Sequence, residues 1–303
     1  MQNITRIKAE NRALVVGFSA DLFRRWVEWI DVKDTTRRNY EAGIKQFLQY
    51  LQANNITQPT REDVVAFRDF LTSTDKTPGT VAAYLASVRL FFQWAEAEGL
   101  YKNVASRVKS PKVSKMHKRD PFNVEQVKEI SNTENLRDRA IILLLAACGL
   151  RTVEVVRADI QDLRNGKLYI QGKGRTEKDA FARIPNELNK VLFAYLNTRP
   201  EAKPTDPLFT SVSNRNDGGR MTTRSISRIV KEASRSCGID SRRLTAHSLR
   251  HFAVTEAIKE GLPLMEVKEF SRHSSVETLN IYAHAEKLEQ NQCETIICSK
   301  LFS

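Results

Sequence analysis

A short basic segment divides this chain and constrains its fold more than any other feature. Residues 107–119 (RVKSPKVSKMHKR) contain six basic residues, no acidic residue, one proline and no apolar repeat of helical period. They hold half of the net charge of +12. Because such a segment has no apolar face to bury, we predict an extended linker between two compact units. The length of 303 residues also suits two domains.

The residues before this linker follow a helical repeat. Apolar side chains recur every three or four positions in DLFRRWVEWI, in TTRRNYEAGIKQFLQYL and in the segments that follow them. Thr60 and Asp63 have the spacing of a capping box, and Pro78 is placed to open a fourth helix. We therefore predict a helical domain over 1–106, in which the aromatic residues form the core rather than stack on bases.

The residues after the linker have a different character. Asn123 can cap a short helix, and LRDRAIILLLAAC predicts a buried helix that ends at Gly149. The segment GKLYIQGKGRTEKDAFARIP predicts two short strands joined by a charged turn, and the rest is helical. The predicted fold class is mainly α with two domains, the second of them mixed α/β: mostly helical, with a small β-hairpin sheet. This second domain spans 120–285 and precedes a tail at 286–303.

Several protein classes lack support. The opening MQNITRIKAE has no apolar region, and the longest apolar run, of nine residues, is too short to span a bilayer. The four cysteines have no CxxC spacing, and no nucleotide-binding loop or metal-binding acidic cluster is present. We therefore expect a cytoplasmic protein that needs no metal or cofactor and does not bind a membrane.

Two cationic residues occupy unusual positions. Arg151 opens a predicted helix, where a cation opposes the helix dipole. A salt bridge to Glu154 or Asp138 would explain it structurally. Lys173 lies at the predicted hairpin turn, where a lysine taken alone is more often simply solubilising. Neither residue indicates catalysis by itself.

Four of the five histidines lie in the last fifth of the chain. His247 and Arg250 are three residues apart on a predicted helix and so share a face, whereas His251 is expected to point elsewhere. His273 lies nine residues before Tyr282, at the junction of a helix and a loop. A metal pair of His247 and His251 lacks a further ligand at a matching position.

Together, two arginines, a lysine, two histidines and a tyrosine suit attack on a phosphodiester. Arginine binds the phosphate oxygens in a bidentate manner and can supply the positive charge without a metal. Lysine can protonate the leaving oxygen, and histidine can relay a proton. Tyrosine can act as a nucleophile in a reversible reaction because the phosphotyrosine retains the bond energy.

Four segments, in this order, resemble the tyrosine recombinases, also called the phage integrase family. They are ACGLRTVEVV (147–156), IQGKGRTEK (170–178), AHSLRHFAVTEAI (246–258) and SRHSSVETLNIYAHA (271–285). The resemblance covers essentially the whole second domain, and the helical N-terminal part looks like the family's core-binding domain. The short lead before residue 15 favours a simple, Xer-like recombinase without an arm-binding domain.

The resemblance implies a role for each matching residue. The implied catalytic set is Arg151, Lys173, His247, Arg250, His273 and Tyr282, with Glu154 and His251 in support. Tyr282 would form a 3′-phosphotyrosine and free a 5′-hydroxyl. Arg151 and Arg250 would clamp the scissile phosphate, and Lys173 would be the general acid. His247 would assist proton transfer.

The resemblance also implies that His273 hydrogen-bonds the phosphate and that Glu154 orients the site. One departure concerns the residue before His273, where the family usually has glycine in a Leu-Gly-His sequence and this chain has Arg272. Because arginine adopts a positive φ less readily than glycine, either the turn differs or Arg272 adds a phosphate contact.

The resemblance further implies double-stranded DNA as the partner and a tetramer that joins two sites through a Holliday junction, with or without accessory proteins. The basic linker would cross the DNA backbone through Lys109, Lys112, Lys115, Lys118 and Arg119. The tail at 286–303 would pack on a neighbouring protomer; the alternative is packing in cis. The predicted function is site-specific DNA recombination. The alternatives are a type IB topoisomerase-like relaxing enzyme and a non-catalytic DNA-binding regulator.

Overall fold

The computed structural model describes residues 20–113, 121–172, 176–241, 243–280 and 282. The chain forms two compact units that divide between Ser114 and Lys115. Within the described ranges it is mostly helical, with one small antiparallel sheet in the second unit. The predicted fold class, two mainly helical domains of which the second also carries strands, is confirmed. None of the described helices combines the length and the apolar character that a membrane span requires.

The first unit consists of helices whose starts are set by local sequence. Thr60 and Asp63 form the predicted capping box, in which the Thr60 backbone N–H donates to Asp63 Oδ2 at 2.7 Å. Thr77 caps the next helix, and Pro78 occupies its first turn, where no intrahelical N–H partner is needed. The helices are α1 (Ala20–Trp29), α2 (Asp34–Ala53), α3 (Arg61–Ser73) and α4 (Pro78–Ala97).

Aromatic rings form the core of this unit, as predicted. Phe47 is fully buried, with its ring edge-to-face on Phe67 at 5.1 Å between centroids and on Phe92 at 6.0 Å. Trp26 contacts Phe91 in the same manner at 5.6 Å. Edge-to-face pairs are a favoured geometry for buried rings, so the helical spacing of these residues reflects packing.

A glycine allows α2 and α4 to approach closely. A Cβ atom added to Gly43 would lie 2.3 Å from Ser87 Oγ and 3.1 Å from the Cα of Tyr84. The glycine therefore lies in the middle of a helix because no side chain fits between the two helices there.

The first residues of the predicted 107–119 linker belong to the first unit. Val108 is buried, and Arg89 Nη2 donates to the Val108 carbonyl at 2.6 Å and to Ser110 Oγ at 2.9 Å. Residues 114–119, the rest of that linker, lie outside the described residues, as does residue 120.

The second unit is built around one buried helix. Ile141, Leu144 and Leu145 of α6 are fully buried, and α6 packs against α8 and α10. Residues 277–280 and 282 are also helical. The helices are α5 (Val124–Ser131), α6 (Leu136–Ala147), α7 (Thr152–Arg157), α8 (Asn186–Leu196), α9 (Thr223–Ser236), α10 (Ala246–Lys259) and α11 (Leu264–Ser271), with a 3₁₀ turn at Ile160–Asp162.

The sheet of the second unit contains the predicted hairpin and one further strand. The strands are β1 (Leu163–Arg164), β2 (Lys167–Ile170) and β3 (Ala180–Arg183), in the order β1-β2-β3. Leu168 pairs with Ala182 in β3 and with Leu163 in β1. The strand β1 was not predicted, because two residues are too few to show an alternating pattern.

Candidate active site

Two turns meet in the second unit and bring distant segments together. The first, at residues 148–151, follows α6, and the second, at residues 271–273, ends α11. Gly149 has φ +55°, and a Cβ there would lie 3.2 Å from Cζ of Phe270. The first turn therefore packs on the end of α11, and glycine meets both the backbone conformation and the close approach.

Arg151 is held at the start of α7 by a buried carboxylate. Its backbone N–H donates to Glu154 Oε2 at 2.8 Å, and its Nη1 donates to Oε1 at 2.9 Å. Nη2 reaches the carbonyl of Arg272 at 3.0 Å. Glu154 is fully buried. Of the two partners expected for Arg151, Glu154 forms the salt bridge, whereas Asp138 pairs with Arg137 at 2.7 Å.

Arg250 connects the two turns from α10. Its side chain is buried, with Nη1 donating to the Gly149 carbonyl at 2.6 Å and Nη2 donating to the Ser271 carbonyl. Burial, followed by the neighbouring Arg151 cation, lowers the pKa of Arg250 to about 9. Arg250 therefore keeps its charge at neutral pH, although the positive charge of the site is costly.

His273 lies beside this arginine in its neutral form. Arg250 Nη2 is 3.4 Å from Nε2, and Ser271 Oγ is 2.6 Å from Nδ1. Since a guanidinium group can only donate, Nε2 accepts and Nδ1 carries the proton. Burial, and then the charges of Arg250 and Arg151, lower the pKa of His273 to about 3.

Tyr282 is buried against His251. Its hydroxyl forms a hydrogen bond with His251 Nδ1, and its ring lies in a cluster with Val254, Val267 and Leu279. Burial raises the pKa of Tyr282 to about 12, and the Arg250 charge partly opposes this. The hydroxyl is therefore protonated, and it needs a base or a change of environment before it can attack.

The position of His251 corrects one expectation. We expected it to point away from the catalytic face, but its ring lies edge-to-face on His247 at 4.5 Å and contacts Tyr282. Residues four apart on a helix lie on one face, so the pairing of the two histidines follows from their spacing. The contact with Tyr282 could not be deduced, because the two residues are 31 positions apart.

Arg272 keeps the left-handed conformation despite having a side chain. Its φ is +56°, so the turn does not change to avoid it. Its guanidinium group folds back onto the first turn, with Nη2 at 2.9 Å from the Gly149 carbonyl and 3.4 Å from Glu154 Oε2. The sequence identified this residue only as a departure from the family pattern.

The remaining predicted residues lie on the first unit or outside the described ranges. Lys109 and Lys112 are exposed on the first unit. Lys173, Lys115, Lys118 and Arg119 lie outside the described residues, as does the tail at 286–303. Within the described ranges no three His, Cys, Asp or Glu side chains are grouped to hold a metal ion.

The site has an excess of positive charge. Among the described residues, Arg151 and Arg272 bind the buried carboxylate of Glu154, Arg250 lies beside them, and His273 is neutral. Three guanidinium groups with one counter-charge favour an anion with several oxygen atoms, such as a phosphate. The arrangement places this positive charge near a tyrosine hydroxyl on the same compact unit, which suits phosphoryl chemistry.

Comparisons with known proteins agree with this chemistry. Residues 120–289 match the family model described as "Phage integrase family", and residues 31–99 match "Phage integrase, N-terminal SAM-like domain". Tyrosine recombinase XerC from Corynebacterium glutamicum is 33% identical over 286 residues, which cover 91% of this chain and 85% of the relative.

Solved structures show the same fold. The XerH site-specific recombinase bound to palindromic difH substrate, in a post-cleavage complex, matches with a TM-score of 0.72 and 18% identity over 92% of this chain and 84% of that one. A lambda integrase tetramer bound to a Holliday junction matches with a TM-score of 0.68 and 16% identity, over 92% and 79% of the two chains. This chain therefore belongs to the phage integrase family, the tyrosine recombinases, and is an enzyme of site-specific DNA recombination.

Proposed function

We propose that this recombinase cuts and rejoins DNA through a covalent bond between Tyr282 and a 3′-phosphate. One observation carries the proposal: Arg151 and Arg250, which are about 100 residues apart, both donate to the 271–273 turn that carries His273. The fold thus brings together the residues that we propose bind the phosphate, on the unit that buries Tyr282.

In the proposed reaction the arginines supply the charge that a metal would supply elsewhere. The Tyr282 oxygen attacks phosphorus, the bond to the 5′ oxygen breaks, and the freed hydroxyl later reverses the step. Charge builds on the non-bridging oxygens, where Arg151 and Arg250 would bind it. Lys173, outside the described residues, is proposed to give the leaving oxygen its proton.

The proton of Tyr282 has a defined neighbour. Its hydroxyl contacts Nδ1 of His251, whereas the family resemblance assigns proton transfer to His247. The His247 ring lies edge-to-face on the ring of His251, with 4.5 Å between the ring centroids. We therefore propose that His251 receives the proton and that His247 assists.

We propose duplex DNA and further copies of this chain as the partners. The similar structures described above hold a DNA substrate and a Holliday junction, and one of them is a tetramer. The exposed Lys109 and Lys112 could contact phosphates, and neutralising them with Lys115 and Lys118 should reduce the salt dependence of binding by about 0.9 per lost contact. Acting on DNA in this way, the protein would work in the cytoplasm.

The test is formation of a covalent adduct. Nicked duplex fragments that tile the DNA flanking the gene would be incubated with the protein in EDTA and analysed on a denaturing gel. We expect an adduct with the wild type and none with Tyr282→Phe. Tyr195→Phe is the matched control, because Tyr195 is also buried but its hydroxyl lies near Thr210, at 3.5 Å. An adduct that persists in Tyr282→Phe would disprove the nucleophile.

A further inference from the structure

Arg272 is the residue that the proposed reaction does not explain. It occupies a left-handed position, φ +56°, that an L side chain rarely adopts. A strained backbone persists only where surrounding contacts hold it, and such positions cluster at functional sites. The contacts of the side chain therefore indicate what the arginine contributes.

Those contacts are hydrogen bonds that run between the two turns in both directions. Arg272, on the second turn, donates from Nη2 to the carbonyls of Cys148 (3.3 Å) and Gly149 (2.9 Å) on the first turn. Arg151, on the first turn, donates to the carbonyl of Arg272 at 3.0 Å. Each turn thus supplies an arginine that binds the backbone of the other, and Arg250 binds both.

The acceptors of Arg272 are buried or helix-terminal groups that favour a cation. The carbonyls of residues 148 and 149 follow the C-terminus of α6, where the last carbonyls have no intrahelical donor and a cation is favourable. Glu154 is fully buried between Arg151 and Arg272, with its Oε2 at 3.4 Å from Arg272 Nη2. A glycine at 272 would leave this carboxylate with fewer partners.

We propose that Arg272 is a positioning residue, which locks the 148–151 turn to the 271–273 turn and so fixes Arg151 relative to Arg250 and His273. Its guanidinium group faces the backbone carbonyls of the first turn and Glu154, the carboxylate that also holds Arg151. It therefore acts through Arg151 rather than on the phosphate. This rests on the proposed phosphoryl chemistry of the site.

The experiment compares single-turnover adduct formation at saturating DNA for the wild type, Arg272→Gly and Arg272→Lys. Arg272→Gly relieves the backbone strain but removes the lock, so we expect a rate 10- to 100-fold lower, as for small misplacements of catalytic groups. Lysine keeps the charge but lacks the forked donors, so Arg272→Lys should also be slow. DNA affinity and its salt dependence should stay within about two-fold of the wild type.

A chemical rescue separates positioning from folding. Guanidinium chloride at millimolar concentration should restore several-fold of the rate of Arg272→Gly, relative to sodium chloride at equal ionic strength, and should not affect the wild type. The matched control is Arg199→Ala, since Arg199 also donates to buried backbone, at 3.0 Å from the Pro207 carbonyl and 2.9 Å from that of Leu208. Its cleavage rate should be unchanged.

Each contrary outcome has a distinct meaning. An unchanged rate in Arg272→Gly, or the absence of rescue, overturns the positioning role. Weaker DNA binding with a shallower salt dependence overturns it in favour of a direct phosphate contact. If the wild type forms no adduct, the proposed chemistry fails as well. If the wild type cleaves normally and Arg272→Gly is unaffected, only the positioning role fails.

Discussion

The two units of this protein bury different chemistry. In the described part of the first unit every buried residue is apolar apart from Ser87 and Gly43. The second unit has a larger apolar core, but it also buries Glu154, Arg250 and His251 around two interlocked turns. Burying charge is costly, and here every one of these three groups has a hydrogen-bond partner.

The first core contributes mainly stability, whereas the buried charges of the second unit contribute mainly activity. An apolar core stabilises in proportion to the surface it removes from water, without preferring any particular chemistry. A buried cluster of arginines with too few counter-charges weakens its own unit, and such a cluster is typical of sites that bind anions. Mutations in the first core should therefore lower stability more than cleavage, and mutations in the buried charged cluster should lower cleavage more than stability.

The chain offers a way to observe the units separately. All three tryptophans, Trp26, Trp29 and Trp94, lie in the first unit. Their fluorescence reports unfolding of that unit, whereas far-ultraviolet circular dichroism reports both. Together with cleavage of nicked DNA, these two signals separate a loss of stability in one unit from a loss of activity in the other.

The largest expected effect is a loss of stability from Phe47→Ala. Phe47 is fully buried between Phe67 and Phe92, so its truncation should cost about 3–5 kcal/mol of unfolding free energy. In urea titrations the fluorescence transition should move to lower concentration. Cleavage per folded molecule should stay close to normal. A cleavage loss larger than the loss of folded protein would contradict the claim that this core contributes only to stability.

The next effect is a loss of activity from Arg250→Ala. Because Arg250 joins the two turns and carries charge into the site, cleavage should fall about 100- to 1,000-fold, as when one oxyanion donor is removed. The fluorescence transition should not move. Arg250 would instead be a structural residue if the unfolding transitions seen by fluorescence and by circular dichroism both shifted strongly. Cleavage would then fall only in proportion to the loss of folded protein.

A smaller effect is expected from Gly43→Ala in the first unit. The new Cβ would lie 2.3 Å from Ser87 Oγ, so overpacking should cost about 1–3 kcal/mol despite the better helix propensity of alanine. Adding Ser87→Gly makes room for the methyl group and should recover most of the fluorescence midpoint. If the single variant is as stable as the wild type, the two helices can separate at little cost.

The smallest effect concerns pH. The pKa of His273 is about 3 in the folded protein, below its ordinary value of 6.5, so the unfolded chain binds the proton first. His273 therefore contributes its full stability above about pH 6.5, and this contribution is lost progressively as pH falls toward 3. The circular dichroism midpoint of His273→Gln should depend less on pH between 7 and 5 than that of the wild type, and fluorescence should not differ. An equal pH dependence in both proteins would contradict the assignment.

Much of the fold was predictable because its signals are local. The capping box at Thr60 and the α6 helix ending before Gly149 depend on residues within a few positions. The strand β1 was missed because its two residues pair only after β2 is in place. The contact of His251 with Tyr282 was missed for a related reason, since it depends on where the last helix packs.

Helical periodicity and motifs whose residue types suit phosphate chemistry were enough to predict the two-unit helical architecture and the family. Only the tertiary structure shows that His251 contacts Tyr282 and that Arg272 turns back onto the carbonyls of residues 148 and 149. The physical reason is range: helix caps and turns are set by neighbouring residues. The partners of a buried charge are set by whichever distant backbone the fold brings to it.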